Sequence, residues 1–361
     1  MSSPVNIHTE WGPLREVVVG SVFNISPHNV DLSFKVFFHD NVKNILLKNS
    51  VTLQTKLVEE RQEDMDNLVR VLQGLGIIVK RPRDLKEVKK FTTPHFEDYT
   101  SPSDNPRDQV LILGNKIIET PSIWRKRFFE NDLLKDIFYE KFRAGSQWIS
   151  APRPMMRDES YDLSYSKSNV NIASELHNNQ NKDLFEIMFD GAQCLKFGKD
   201  IVMNVSNENH RQGLKWLQSV IGDTYRIHPV HLCDHHIDSM FMPIAPGRLL
   251  VNTGSLPSKM DKLPAWLRSW DMIPVEVESV GDYKLNLASK DIYTNVFPVG
   301  PNKIITFNES EEPDKKLSTV LEQHKVEYIH VRLRHSRLFT GGVHCATLDL
   351  VRDEILEDYS S

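Results

Sequence analysis

The chain has 361 residues, 40% hydrophobic and 26% charged, the make-up of a globular protein with length enough for a substantial core. Its net charge of -5, from 44 basic and 49 acidic residues, gives no electrostatic footprint for nucleic acid or an anionic membrane. The N-terminus has no basic segment followed by an apolar run, no stretch approaches about 18 uninterrupted apolar residues, and three cysteines make neither a disulfide framework nor a paired Cys-x-x-Cys metal site.

These features lead to the expectation of a cytoplasmic protein with reduced thiols. In chain order, residues 11–20 read as a turn leading into a buried strand that stops at glycine. Residues 51–73 carry apolar side chains at helical spacing and end at Gly74-Leu75-Gly76, with a strand predicted at 77–79. A hairpin follows at 110–119, and 124–142 is helix-like. Strand, turn and strand are expected over 192–203 around Gly198, then a helix at 211–221 and a strand at 225–230. Later units are a strand at 248–252, a helix near 264–269, a strand at 273–277, a hairpin at 296–307 turning at Gly300-Pro301-Asn302, a helix at 317–324, and strands at 326–331 and 345–351. The alternation predicts an α/β protein. With no Gly/Ser linker, we read one domain over 1–361, carrying one polar insertion at about 161–181. A doubly wound sheet would suit the alternation, but no Gly-x-Gly-x-x-Gly follows a strand and there is no Walker loop.

Cys345 follows Gly341-Gly342-Val343-His344 and opens a strand whose Ala346, Leu348 and Leu350 share a face. Alone, it is more readily a small buried hydrophobe than a nucleophile. The segment Cys233-Asp234-His235-His236-Ile237-Asp238 places titratable groups before an apolar run, with His236 and Asp238 on one face if it is extended. It could hold zinc or iron, but no second His-rich cluster supplies further ligands. Asp190 in Phe189-Asp190-Gly191-Ala192 and Asp108 in Pro106-Arg107-Asp108-Gln109-Val110 each sit in ordinary turn sequences. As a set, Cys, His and several Asp suit guanidino chemistry. Carboxylates grip the planar, permanently charged fork of N–H donors. A thiolate attacks its carbon, and an oriented histidine moves protons.

These same segments, together with 10–20, 114–121, 124–130 and 151–154, are similar to the glycine amidinotransferase and inosamine-phosphate amidinotransferase group of the pentein superfamily, along most of the chain. The resemblance implies a five-bladed α/β propeller with pseudo-fivefold symmetry and its site at the ring centre. It puts the nucleophile on Cys345, the general acid/base on His236, the carboxylate orienting that histidine on Asp190, and guanidinium binding on Asp108 and Asp238. It also implies L-arginine as donor, an amine as acceptor and no cofactor or metal, and leaves room for a homodimer. Ser289 falls on a position binding the donor carboxylate. Near Ser255 the glycine-forming members carry an arginine that this chain lacks. They also have Asn-Pro-Met where this chain has Cys233-Asp234-His235, so Cys233 and His235 are expected to border an acceptor whose identity stays open. The alternatives are a hydrolase of the same superfamily, such as an arginine deiminase, and a non-catalytic binding protein on the same fold.

Overall fold

The computed structural model describes residues 3–38, 50–164, 182–234, 236–276 and 292–360. Among these residues five three-stranded sheets share one pattern, in which a middle strand pairs antiparallel with one neighbour and parallel with the other. One sheet joins both ends of the chain: β1 (Leu14–Val19) lies antiparallel to β15 (Thr347–Arg352) and parallel to β2 (Ile78–Lys80). The others are β3 (Val110–Leu113), β4 (Lys116–Glu119) and β5 (Gln147–Ser150); β6 (Cys194–Phe197), β7 (Asp200–Asn204) and β8 (Arg226–Val230); β9 (Phe241–Ala245), β10 (Arg248–Asn252) and β11 (Asp271–Val275); and β12 (Phe297–Gly300), β13 (Lys303–Asn308) and β14 (Glu327–Arg332).

The parallel pairs need crossovers, since a tight turn cannot return a strand in the same direction. Helices supply four of them: Thr55–Gly74, Lys135–Arg143, Glu208–Ile221 and Lys315–Gln323. The fifth, between β10 and β11, is made of 3-10 turns at Pro257–Lys262 and Leu267–Ser269 where one helix was expected. Apart from β1 with β15, these antiparallel pairs close through tight turns, with Gly198 at φ 69° and Asn302 at φ 56° in the left-handed region.

Opening strands such as β3, β6 and β9 are buried along their whole length, whereas closing strands such as β8 and β14 are half exposed. This is why the opening strands read as apolar runs without alternation. No helix among the described residues is long and apolar enough to cross a membrane.

Two further expectations change. Residues 124–134 form 3-10 turns, at Arg125–Arg127 and Glu130–Leu133, and a helix begins only at Lys135. Arg125, Lys126 and Arg127 are all buried, and each donates to backbone carbonyls of a different segment: Met156, Ser26 with Pro27, and Asn105. Three consecutive inward side chains do not fit one helix face. The start of the polar insertion is not peripheral either. Tyr161 is buried, its hydroxyl donating to the Ile123 carbonyl at 3.2 Å, and Asp162 accepts from the Glu208 N–H at 2.8 Å at the start of a helix. The rest of it, 165–181, lies outside the described residues.

Candidate active site

Each sheet presents a polar side chain just before its opening strand. Asp108 lies in the one-turn helix Pro106–Gln109, ahead of β3. Asp190 caps the 3-10 turn Gly191–Gln193 ahead of β6, and its N–H donates to Gln193 Oε1 at 2.8 Å. His236 and Asp238 flank the start of the 3-10 turn Ile237–Ser239 ahead of β9. This turn replaces the extended segment expected there, so the two side chains serve different partners. Asn295 precedes β12, and Cys345 precedes β15 in a turn instead of opening the strand itself.

Five of these groups converge. His236 Nε2 is 2.9 Å from Asp190 Oδ2, and His236 Nδ1 is 3.7 Å from Asp108 Oδ1. The Cys345 thiol points at Asp238 Oδ2 at 3.4 Å. One ligating atom from each of Asp108, His236 and Cys345 lies within 4.8 Å of the other two. A metal ion would compete for these same three side chains. The Phe37 ring stands edge-on to the imidazole, with centroids 6.2 Å apart.

The glycines before Cys345 are demanded by space. A Cβ at Gly341 would lie 2.7 Å from both Asn105 Oδ1 and Cys345 Cβ, and one at Gly342 would lie 2.2 Å from Phe307 Cζ.

Around this centre the charges are paired. Arg127 donates to Asp108 Oδ2 at 2.6 Å while forking onto Glu130 at 2.7 and 2.9 Å. His344 bridges two carboxylates, with Nδ1 2.8 Å from Asp238 Oδ2 and Nε2 3.2 Å from Glu10 Oε2. Lys196 Nζ lies 2.9 Å from Glu10.

Burial alone would lower the His236 pKa, but Asp108, Asp190 and Asp238 outweigh it and raise it to about 9. Burial raises the Asp190 carboxyl, yet the bond to His236 and the nearby Arg127 leave it below its ordinary value. Asp108 stays above its ordinary value because burial prevails over His236 and Arg127. For Asp238, burial is overcome by the hydrogen bond and charge of His344, and the carboxyl is held low. Burial pushes the Cys345 thiol well up, with Asp238 and Asp108 adding to it, while Asn295 acts the other way. At neutral pH the resting site therefore holds an imidazolium and a protonated thiol.

The structure thus brings together Asp108, Asp190, His236, Asp238 and Cys345. Cys233 is half-buried, and its thiol donates to the His236 carbonyl at 3.3 Å. His235 and Ser289 lie outside the described residues. Cys194 is buried, and burial pushes its thiol up to about 12. Sequence reasoning missed Asn295, Arg127, His344 and Glu10. Of these only Asn295 carried a signal, as a polar residue just ahead of an apolar strand, the position that Asp108, Asp190, Asp238 and Cys345 hold in the other units.

No protein-family model matches the chain. Inosamine-phosphate amidinotransferase 1 of Streptomyces glaucescens is 34% identical to it, covering 99% of both chains. The L-arginine:L-lysine amidinotransferase of Pseudomonas savastanoi pv. phaseolicola is 30% identical, over 99% of this chain and 97% of that protein. Among solved structures, inosamine-phosphate amidinotransferase from Streptomyces griseus superposes with a TM-score of 0.84 at 33% identity, covering 100% of both chains.

Proposed function

The chain belongs to the amidinotransferase family, and on that premise we propose that Cys345 carries an amidino group from L-arginine to a primary amine, with release of ornithine. The supporting observation is the convergence of one thiol, one imidazole and three carboxylates from the segments that precede strands of four sheets. In this reading 1–361 is a single catalytic domain, and the five sheets are the blades of a closed α/β propeller. The shared connectivity and the pairing of β1 with β15 support that closure.

Asp108 and Asp238 grip the guanidinium, and its positive charge offsets the two carboxylates that oppose ionisation of Cys345. The thiol therefore loses its proton to solvent as arginine seats. The thiolate adds to the guanidino carbon, and the bond from that carbon to the ornithine Nδ breaks as His236 delivers its proton to that nitrogen. Asp190 fixes the ring and sustains its charge at 2.9 Å. In the second half the acceptor amine adds to the amidino carbon, His236 takes a proton from it, and the carbon–sulfur bond breaks to return the thiolate.

Ser289 is assigned to the donor carboxylate, and Cys233 and His235 to the acceptor side. The test is incubation with arginine alone, followed by intact mass and amino-acid analysis. An adduct of amidino mass on Cys345 and one equivalent of ornithine are expected. Absence of both overturns the proposal, and continuous citrulline or urea release assigns the site to a hydrolase. A panel of amines with arginine then identifies the acceptor class.

A further inference from the structure

Asn295 is buried and grips Cys345 twice. Its Oδ1 accepts the Cys345 backbone N–H at 3.1 Å, and its Nδ2 lies 3.0 Å from Sγ. The backbone N–H can only donate, so it fixes which end of the amide faces it and leaves the NH2 group facing sulfur. The residue is itself locked at both ends: its N–H donates to the Ile292 carbonyl at 3.0 Å, and its carbonyl accepts from the His344 N–H at 3.1 Å. Its neighbour Thr294 donates to the Asp238 carbonyl at 2.8 Å. One dipeptide thus holds both the nucleophile and the turn bearing a carboxylate beside it. Asn295 also stands where the other units place Asp108, Asp190, Asp238 and Cys345, just ahead of an opening strand.

We propose that Asn295 is a catalytic residue whose Nδ2–H stabilises the Cys345 thiolate, both when it forms to attack arginine and when it leaves the amidino carbon. The proposal rests on Cys345 being the nucleophile. Burial, Asp238 and Asp108 all disfavour the anion of that sulfur, whereas an N–H aimed at sulfur strengthens as the charge develops.

Two variants of the full chain separate this role from simple support. Asn295→Asp keeps an oxygen to accept the Cys345 N–H but removes the donor to sulfur, and Asn295→Ala removes both without adding charge. The readouts are the rate of iodoacetamide alkylation, mapped to Cys345, across pH without substrate, and the rate of adduct formation at saturating arginine. Alkylation needs no histidine acid. Both variants are expected to alkylate about 10- to 100-fold more slowly at each pH below the thiol pKa, equivalent to a rise of about one to two units in that pKa, with Asp the slower. Adduct formation should fall by a similar factor. If folded Asn295→Asp alkylates at the wild-type rate across pH, the side chain is only a backbone support and the proposal is overturned. A wild-type protein that forms no arginine adduct would refute the nucleophile reading instead, while the alkylation profile would still measure what Asn295 does to the thiol.

Discussion

Asp190→Asn removes one charge of three around His236 while preserving shape. The contact is 2.9 Å long and buried, and an opposite charge at such range is worth about 1 to 3 pKa units, or about 1.4 to 4 kcal/mol. The His236 pKa should fall from about 9 to roughly 6–8. In the proposed mechanism His236 is protonated when it expels ornithine, so the acid form disappears as pH rises through its pKa. The wild-type burst of ornithine release should hold to about pH 9 and then decline. In the variant the decline should begin one or more units lower, with a loss of about 2- to 100-fold at pH 8 as the acid form is depleted. Stability follows the same sign. A folded-state pKa above the free value of 6.5 stabilises fully below pH 6.5, and that contribution is lost as pH rises through about 9. The wild type should therefore lose more melting temperature between those limits than Asp190→Asn does. The assay is rapid-quench ornithine release under single turnover from pH 6 to 10, beside thermal melts at the same pH values. An alkaline limb unmoved in the variant would refute the assignment of that limb to the His236–Asp190 pair.

Arg127→Met leaves Asp108 and Glu130 buried without their shared cation, so unfolding in urea should show a loss of about 3–5 kcal/mol. A change below about 1 kcal/mol would mean the pair is solvated in solution. Gly342→Ala should cost about 1–3 kcal/mol and slow adduct formation, because its Cβ would meet Phe307 at 2.2 Å and the Asn295 carbonyl at 2.9 Å. Unchanged adduct kinetics would show that the turn before Cys345 can yield. His344→Asn weakens the hold on Asp238, and the KM for arginine should rise about tenfold. If kcat falls with KM unchanged, His344 acts on the thiol and not on guanidinium binding.

Much of the site was legible because the chemistry concentrates in short ordered motifs. Asp108, Asp190, His236, Asp238 and Cys345 were all named from sequence, and they meet. Opening strands and hairpins such as 110–119 were legible from their apolar runs, and the helix at Thr55–Gly74 from its spacing. The failures share a cause. Residues 124–134 hold helix-forming types, but burial of Arg125, Lys126 and Arg127 against distant carbonyls overrides that propensity, and no local pattern reports it. Asn295 was hidden because an asparagine beside a strand ordinarily signals a turn, and only the equivalence of the five units gives it meaning. His344 and Glu10 are 334 positions apart, so their pairing is set entirely by tertiary structure.

The pairing of β15 with β1 has a consequence for how activity is acquired. Val19 meets Thr347 only two residues beyond Cys345, so docking of this late segment onto an early one is also what seats the nucleophile. A contact so remote in sequence carries a large loop-closure cost, which falls once the intervening chain is ordered. A growing or refolding chain can therefore assemble the pockets holding Asp108, Asp190 and His236 while lacking a reactive sulfur in place. Arginine-dependent labelling is then expected to appear with that docking, and its recovery during refolding would clock the docking directly.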